Sequence, residues 1–381
     1  MIQRLVLFTC LSLSACADAT ARPTAVDPAC AWMRAPAAGP LHDEAAAAKF
    51  PLDVAAVRVR EARLTGDPGF YTLADVAVSC ALATDPTDRA ALRQRAFLLN
   101  QFHRFADAEA IIRPLATATD SADDWVVLSD SLLDQGDLRG AAEALDRALA
   151  TETSLRTLDR AAWLVWQQGD LDRAIELERR AVRLGVPGDH EAIAWSLTRL
   201  GWFLALADKP TDALDAALVE VPGYRPALIA RGRLRLHRGE VEAARADLVA
   251  AGDTVAAKVA LASIEPTANV DAVGRQDARG YALWLADHGE APRAMRLLEG
   301  ELADRQDAIT RVAYAWAAHQ AGGDGTALAK DALTTGVRDP ETLLRAGIVL
   351  GKADLVRDAL RLGPGLLPPQ AEAARAWLAA R

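Results

Sequence analysis

The chain has 381 residues, of which 51% are hydrophobic, 25% charged and only 5% aromatic, with a mean hydropathy of +0.04. That balance is too apolar and too evenly charged for a disordered chain, so a packed core is expected. Lys and Arg number 43 against 52 Asp and Glu, a formal charge of −9 with no basic block, which excludes nucleic acid as the main partner. Ala dominates, Gly numbers 25 and β-branched runs are few, which favours closely packed helices over sheet.

Residues 1–15 have the form of a bacterial export signal: Arg4, then an apolar run from Leu5 to Leu13 too short to span a bilayer, then small residues before a cysteine. Leu13-Ser14-Ala15-Cys16 resembles the lipobox of bacterial lipoproteins. That resemblance implies removal of the first fifteen residues, diacylation of Cys16 through a thioether, and acylation of the new amino terminus. Several acyl chains on one cysteine avoid the weak, reversible anchoring of a single chain. Simple secretion with an incidental cysteine is the alternative. Ala17 after the cysteine resembles outer-membrane sorting, so the expected address is the cell envelope, lipid-anchored at the outer membrane and facing the periplasm or the cell surface. Residues 16–42 are rich in Ala, Pro, Asp and Thr and read as a flexible tether. Apart from Cys10 and Cys16, the cysteines are Cys30 and Cys80; in an exported chain they would pair in a disulfide that pins the tether to the first hairpin, or else stand as two thiols.

From about Asp53 a helix with a small residue midway alternates with a helix carrying an Ala twelve residues after it. The pairs are Ala96/Ala108, Ser129/Ala141, Ala162/Ala174, Gly201/Ala213, Gly232/Ala244, Ala282/Ala294, Ala315/Ala327 and Gly347/Ala359, with Ala62/Ala74 a weaker first member. Small side chains there let the two helices of a hairpin approach closely. Gly136-Asp137 and Gly169-Asp170 end one helix with a residue that tolerates positive φ and start the next with a capping side chain.

This pattern resembles the tetratricopeptide repeat, and Pro86 and Pro226 are similar to its closing proline. The resemblance implies an all-α fold, a right-handed superhelical solenoid of about nine helical hairpins. N-terminal repeats are expected over 43–252, an irregular connector over 253–273, C-terminal repeats over 274–365 and a capping helix over 366–381. Two departures stand out. An extended linker, GVPGDHEAIAW, is expected before the Gly201 hairpin, and Arg235 occupies a place where a bulky apolar residue is usual. The stretch from Glu301 to Gly336, with Arg305-Gln306-Asp307 ahead of Ala315-Trp316, is similar to the C-terminal part of a broad group of bacterial tetratricopeptide proteins, a likeness that bears on fold alone.

By the same resemblance the first helices line a concave groove, and its ligand-facing offsets fall on Phe97, Asn100, Asp130, Arg156, Asp159, Trp163, Trp166, Gln167, Trp195, Trp202, Arg233 and Trp316. Trp125 and Trp284 fall elsewhere and read as packing. Trp is a common interface anchor, so the groove would take a protein partner or an extended peptide. Alternatively the Trp residues fill thin Ala-rich hairpins, or a cell-wall glycan such as peptidoglycan stacks on them, or the solenoid is a structural spacer. His103, His237, His288 and His319 sit near the ends of first helices, where an imidazole suits the helix C-terminus. His237 and Glu240 lack a third metal ligand, Gly322-Gly323-Asp324-Gly325 lacks a following Lys-Ser/Thr, and no Gly-x-Ser-x-Gly or reactive Cys–His arrangement occurs. No enzyme activity, catalytic residue, cofactor or metal is expected.

Overall fold

A computed structural model describes residues 41, 43–44, 50–265 and 267–381. The signal, Cys16, Cys30 and most of the tether lie outside the described residues. Cys80 is buried and disulfide-bonded. Among the described residues there are twenty α-helices and no strand. Nine antiparallel hairpins follow one another: α1 Pro51–Thr65 with α2 Gly69–Thr84, α3 Arg89–Gln101 with α4 Phe105–Thr119, α5 Ala122–Asp134 with α6 Leu138–Thr151, and α7 Leu155–Gln167 with α8 Leu171–Arg183. Then come α9 His190–Leu206 with α10 Asp212–Glu220, and α11 Arg225–His237 with α12 Val241–Ala250. After the lone helix α13 Val255–Ala262 and a 3-10 turn at Asp271–Gln276, the series resumes with α14 Ala278–Asp287 and α15 Ala291–Asp304, α16 Ala308–Gln320 and α17 Thr326–Leu333, and α18 Pro340–Leu350 and α19 Ala353–Arg361; α20 Pro368–Ala379 closes it. Each helix packs mainly against its hairpin partner and then against the next hairpin, which makes an all-α helical-repeat solenoid of tetratricopeptide type. No helix among the described residues is long and apolar enough to cross a membrane.

The small residues act at the hairpin crossings. Ser129 Oγ donates to the Ala141 carbonyl at 3.0 Å, so the hydroxyl is satisfied at the contact itself. A Cβ at Gly201 would lie 2.6 Å from Leu214 Cγ, which only a bare Cα allows. Two expected pairs do not form. Ala213 is half-buried and Ala327 is exposed, and their neighbours Leu214 and Ala329 take the inward places because α10 and α17 are short and start late. Asp137 and Asp170 cap α6 and α8, accepting from Gly140 N and Arg173 N, each at 2.9 Å.

The irregular places in the repeat take definite form. The expected extended linker over GVPGDHEAIAW is helical from His190, giving α9 17 residues, because Glu191 and Ala194 face inward and are buried. Arg235 meets Asp247 of α12 at 2.6 Å, an ion pair in place of an apolar contact. The connector holds the lone helix α13 and a 3-10 turn, and Val255, Val270 and Val273 join the core of the α14 hairpin.

The solenoid winds back onto itself. Turns of the early hairpins rest on junctions between the late ones. The α5–α6 turn meets the α15–α16 junction, where Gln306 N donates to Asp134 O at 2.7 Å and Arg305 Nη2 to Asp134 Oδ1 at 3.0 Å. His103 Nδ1, after α3, lies 3.4 Å from Glu301 of α15. At the α7–α8 turn, Gly169 (φ +92°) faces the Gly336 carbonyl, and Gly336 (φ +83°) faces the Gln168 carbonyl; a Cβ at either would stand 2.6 Å from that oxygen. The first hairpin is drawn in as well, Arg63 Nη1 meeting Glu191 Oε2 at 3.3 Å.

The nested turns make a direct test. Gly239 has a similar φ, +77°, with nothing within 4 Å of its would-be Cβ. Gly239→Ala is expected to cost only the left-handed strain, about 1–2 kcal/mol. Gly169→Ala and Gly336→Ala are expected to lose about 1–3 kcal/mol beyond that, from the clash with a backbone that cannot move aside. Equilibrium chemical denaturation of the three variants checks this; equal losses would mean the closure contributes nothing.

Candidate functional site

The closure divides the inner surface into two half-open chambers. The N-terminal one, about 670 Å³, is enclosed by α1, α2, α3, α7, α9 and the loop before α9. The C-terminal one, about 600 Å³, lies among α11, α13, α14, α16, α18 and α20. Both fall in the size range of ligand-binding cavities.

First helices supply the inward residues of the N-terminal chamber because each repeat buries its second helix on the outside. Phe97 sits on one wall with Tyr71 edge-on at 6.4 Å and the Arg63 guanidinium 5.6 Å from its ring centroid. Arg156 lines the chamber and, among the described residues, makes one hydrogen bond, Nη1 to Asp123 Oδ1 at 2.9 Å. Its side chain keeps 41% of its accessible surface. Desolvation pushes the Arg156 pKa down, the Asp123 and Asp130 carboxylates raise it, and the nearby Arg160 and Arg63 charges lower it. Arg93 is committed to Asp124 and approaches Asp123 at 3.5 Å. Tyr224 donates to Glu191 at 3.1 Å, and burial first, then the Glu191 charge, raise its phenol far above the ordinary range. At the mouth, Leu184, Val186 and Trp195 are 44%, 66% and 37% exposed.

In the C-terminal chamber, Arg345 spans Asp287 (3.1 Å) and Glu341 (2.8 Å), and Arg233 holds Glu341 at 2.6 Å and the Gly365 carbonyl at 2.8 Å. Burial works against a charge on Glu341, but Arg233 and Arg345 hold its carboxyl down at about 2. Trp316 Nε1 donates to Asp287 Oδ1 at 2.6 Å. A line of ion pairs runs between the chambers. Arg160 meets Asp130 (3.3 Å); Asp134, one turn on, meets Arg305 (3.0 Å); Arg305 and Arg279 share Asp307 (3.0 and 3.4 Å). Burial opposes ionisation of Asp307, yet Arg279 and Arg305 hold its carboxyl below the usual range.

Of the residues expected to face a ligand, Phe97, Arg156, Asp159 and Trp195 line the N-terminal chamber, and Arg233 and Trp316 line the C-terminal one. The rest are not brought to either. Asn100 is buried, donating to Val127 O at 3.2 Å and accepting from Ser131 Oγ at 2.9 Å, so it ties α3 to α5. Trp163 and Trp166, expected to face the groove, stack on each other at 4.6 Å; Trp166 is buried against Phe203, and Arg199 lies 4.8 Å from the Trp163 ring centroid. Gln167 is buried, Trp202 lies under Arg233 at 5.5 Å, and Asp130 is engaged by Arg160. Conversely, Trp284, expected as packing, is on the C-terminal chamber wall, stacked at 4.5 Å on His288. Arg63, Tyr71, Glu191 and Tyr224 were missed because closure over 128 residues of chain joins them, and no local spacing signals it. Among the described residues no group of three metal-ligating side chains assembles.

Behind the N-terminal chamber, Arg199 Nε lies 3.0 Å from Glu178 Oε1 at an angle too bent for a hydrogen bond, and both Glu178 oxygens lack a donor. Burial and then the adjacent Asp159 carboxylate raise the Glu178 pKa well above normal, with Arg199 opposing. The folded chain therefore keeps a proton that the unfolded chain releases near pH 4.3. Between that pH and the raised value, the folded state binds more protons, so this group's share of stability falls as pH rises. Glu178→Gln is expected to gain thermal stability over the parent on going from pH 5 to pH 8. Melting curves of the two at matched pH check it, and parallel profiles would show Glu178 ionised throughout.

No protein-family model matches the chain, and no curated protein matches it. Among solved structures the chain is similar to the human IFIT1 dimer with PPP-AAAA, at 15% identity over 87% of this chain and 72% of that one, TM-score 0.45. It is similar also to the APC/C hetero-tetramer Cut9–Hcn1, at 13% identity over 79% of this chain and 55% of that one, TM-score 0.44. A third likeness is to YrrB, a TPR protein with an unusual peptide-binding site, at 17% identity over 50% of this chain and 93% of that one, TM-score 0.31. At these values the likeness is to helical-repeat architecture and says nothing about ligands.

Proposed function

We propose that the protein is a non-enzymatic helical-repeat scaffold or assembly factor that binds a partner protein through an extended segment entering the inner surface. In this reading a lipid on Cys16 anchors it at the bacterial outer membrane. The observation that supports partner binding most is the mouth of the N-terminal chamber. Leu184, Val186 and Trp195 are large apolar side chains left exposed together there, beside arginines on the chamber wall. An aromatic anchor next to Arg in a concavity is the composition of an interface hot spot. Leucine-to-cysteine spacing at 13–16 supports the anchor.

Two experiments test the two halves of the proposal. Mild cross-linking in the native cells followed by affinity capture is expected to recover a defined protein set with the parent chain. That set should be missing from a Val186→Asp/Trp195→Ala variant that remains helical by circular dichroism. An identical set from both would overturn the mouth as the interface, and an empty set with retention on insoluble cell wall would favour glycan binding. Metabolic labelling with an alkyne-palmitate is expected to mark the parent and not Cys16→Ser; label retained in the variant would refute the anchor.

A further inference from the structure

Behind the exposed mouth, whose Trp195 it shares, the N-terminal chamber has the two ends of an amphiphile-binding site. One end is cationic and under-used: Arg156 directs a guanidinium into the cavity and spends one hydrogen bond on Asp123, leaving its other N–H donors without a protein partner among the described residues. Arg63, Arg93 and Arg160 line the same cavity, each with a carboxylate partner of its own. The other end is apolar, with Phe97, Tyr71, Leu155 and the Trp195 ring facing the cavity. Among the described residues no ring or guanidinium is stacked on Trp195, whereas Trp163, Trp166, Trp202, Trp284 and Trp316 each have one. The cavity is half-enclosed at about 670 Å³, room for one small ligand and little more.

We infer that this chamber binds a small amphiphilic anion: one carboxylate or phosphate head on the Arg156 guanidinium, and an aliphatic body laid along Phe97 and Trp195. A bidentate guanidinium contact with a planar carboxylate, or with two phosphate oxygens, would engage the donors that Asp123 leaves unused on this half-open wall. Each buried methylene of the body adds the usual apolar transfer term. The two heads represent different sources, a free fatty acid or a lipid phosphate, and the probes below separate them.

The test is isothermal titration of the full chain carrying Cys16→Ser, so that no detergent is needed, with decanoate, decyl phosphate and decanol. Saturable one-to-one binding of decanoate or decyl phosphate is expected, with decanol weaker by about tenfold or more, the worth of a charge-assisted hydrogen bond. Tight decanoate binding assigns the free-acid source, and decyl phosphate alone assigns the phosphate source. Arg156→Gln should abolish the preference for the anion over decanol, Arg156→Lys should keep part of it, and Trp195→Ala should weaken all three ligands together. Circular dichroism of each variant guards against misfolding. Absence of saturable binding by either anion, decanol binding as tightly as they do, or an anion preference unchanged in a folded Arg156→Gln chain would overturn the inference. Such a failure with partner capture intact would leave the scaffold proposal standing.

Discussion

The contact on which the rest of this structure depends is the nesting of one set of turns on another. A chain of helical hairpins with free curvature would present an open groove to solvent. Here the backbones at Gly169 and Gly336 approach so closely that neither position has space for a Cβ, and Gln306 N reaches back to Asp134 O. Backbone meeting backbone leaves little slack, since neither side can rotate a side chain out of the way. The first consequence is that the inner surface becomes two chambers. The second is that arginines and carboxylates from distant repeats are brought into the interior and must satisfy one another there.

That requirement explains why the basic residues are so largely arginine. Interior ion pairs survive only when several donors can be matched at once, and the guanidinium fork offers five N–H groups in one plane. Arg345 uses this to hold Asp287 and Glu341 together, and Arg305 to hold Asp134 and Asp307. Buried pairs of this kind add little net stability against an apolar replacement, but loss of one partner strands the other. The line from Arg160 to Arg279 therefore acts chiefly to fix how the two halves of the superhelix register. Arg156 is among the less fully matched. It lies on a chamber wall with one partner and a lowered pKa, and it is there that the interior has capacity for a charge from outside.

The same geometry settles which aromatic rings are available. Trp163 and Trp166 occupy the seam between α7 and the next hairpin, where stacking on each other and on Phe203 fills the thin contact that Ala-rich helices leave. Trp195 lies one hairpin further on, after a loop that leaves Val186 exposed, and no ring or guanidinium among the described residues covers it. Position along the repeat is the same kind of information for both. What differs is the hairpin that arrives opposite.

The sequence alone determined the all-α repeat. Small residues twelve apart and Gly-Asp turns encode close helix crossings and sharp reversals, both local properties of a few consecutive residues. Nine hairpins, the caps at Asp137 and Asp170, and the final helix after Pro368-Pro369 follow from that local code. Half of the expected ligand-facing residues, Phe97, Arg156, Asp159, Trp195, Arg233 and Trp316, do line a chamber, because a first helix always turns one stripe inward. Only the tertiary structure decided that Asn100, Trp163, Trp166 and Gln167 serve packing, and that Arg63, Tyr71, Glu191 and Tyr224 complete the N-terminal chamber. Those outcomes depend on superhelical curvature, the sum of small rotations at every hairpin junction. Such a sum is set by packing along the whole chain and is carried by no single motif.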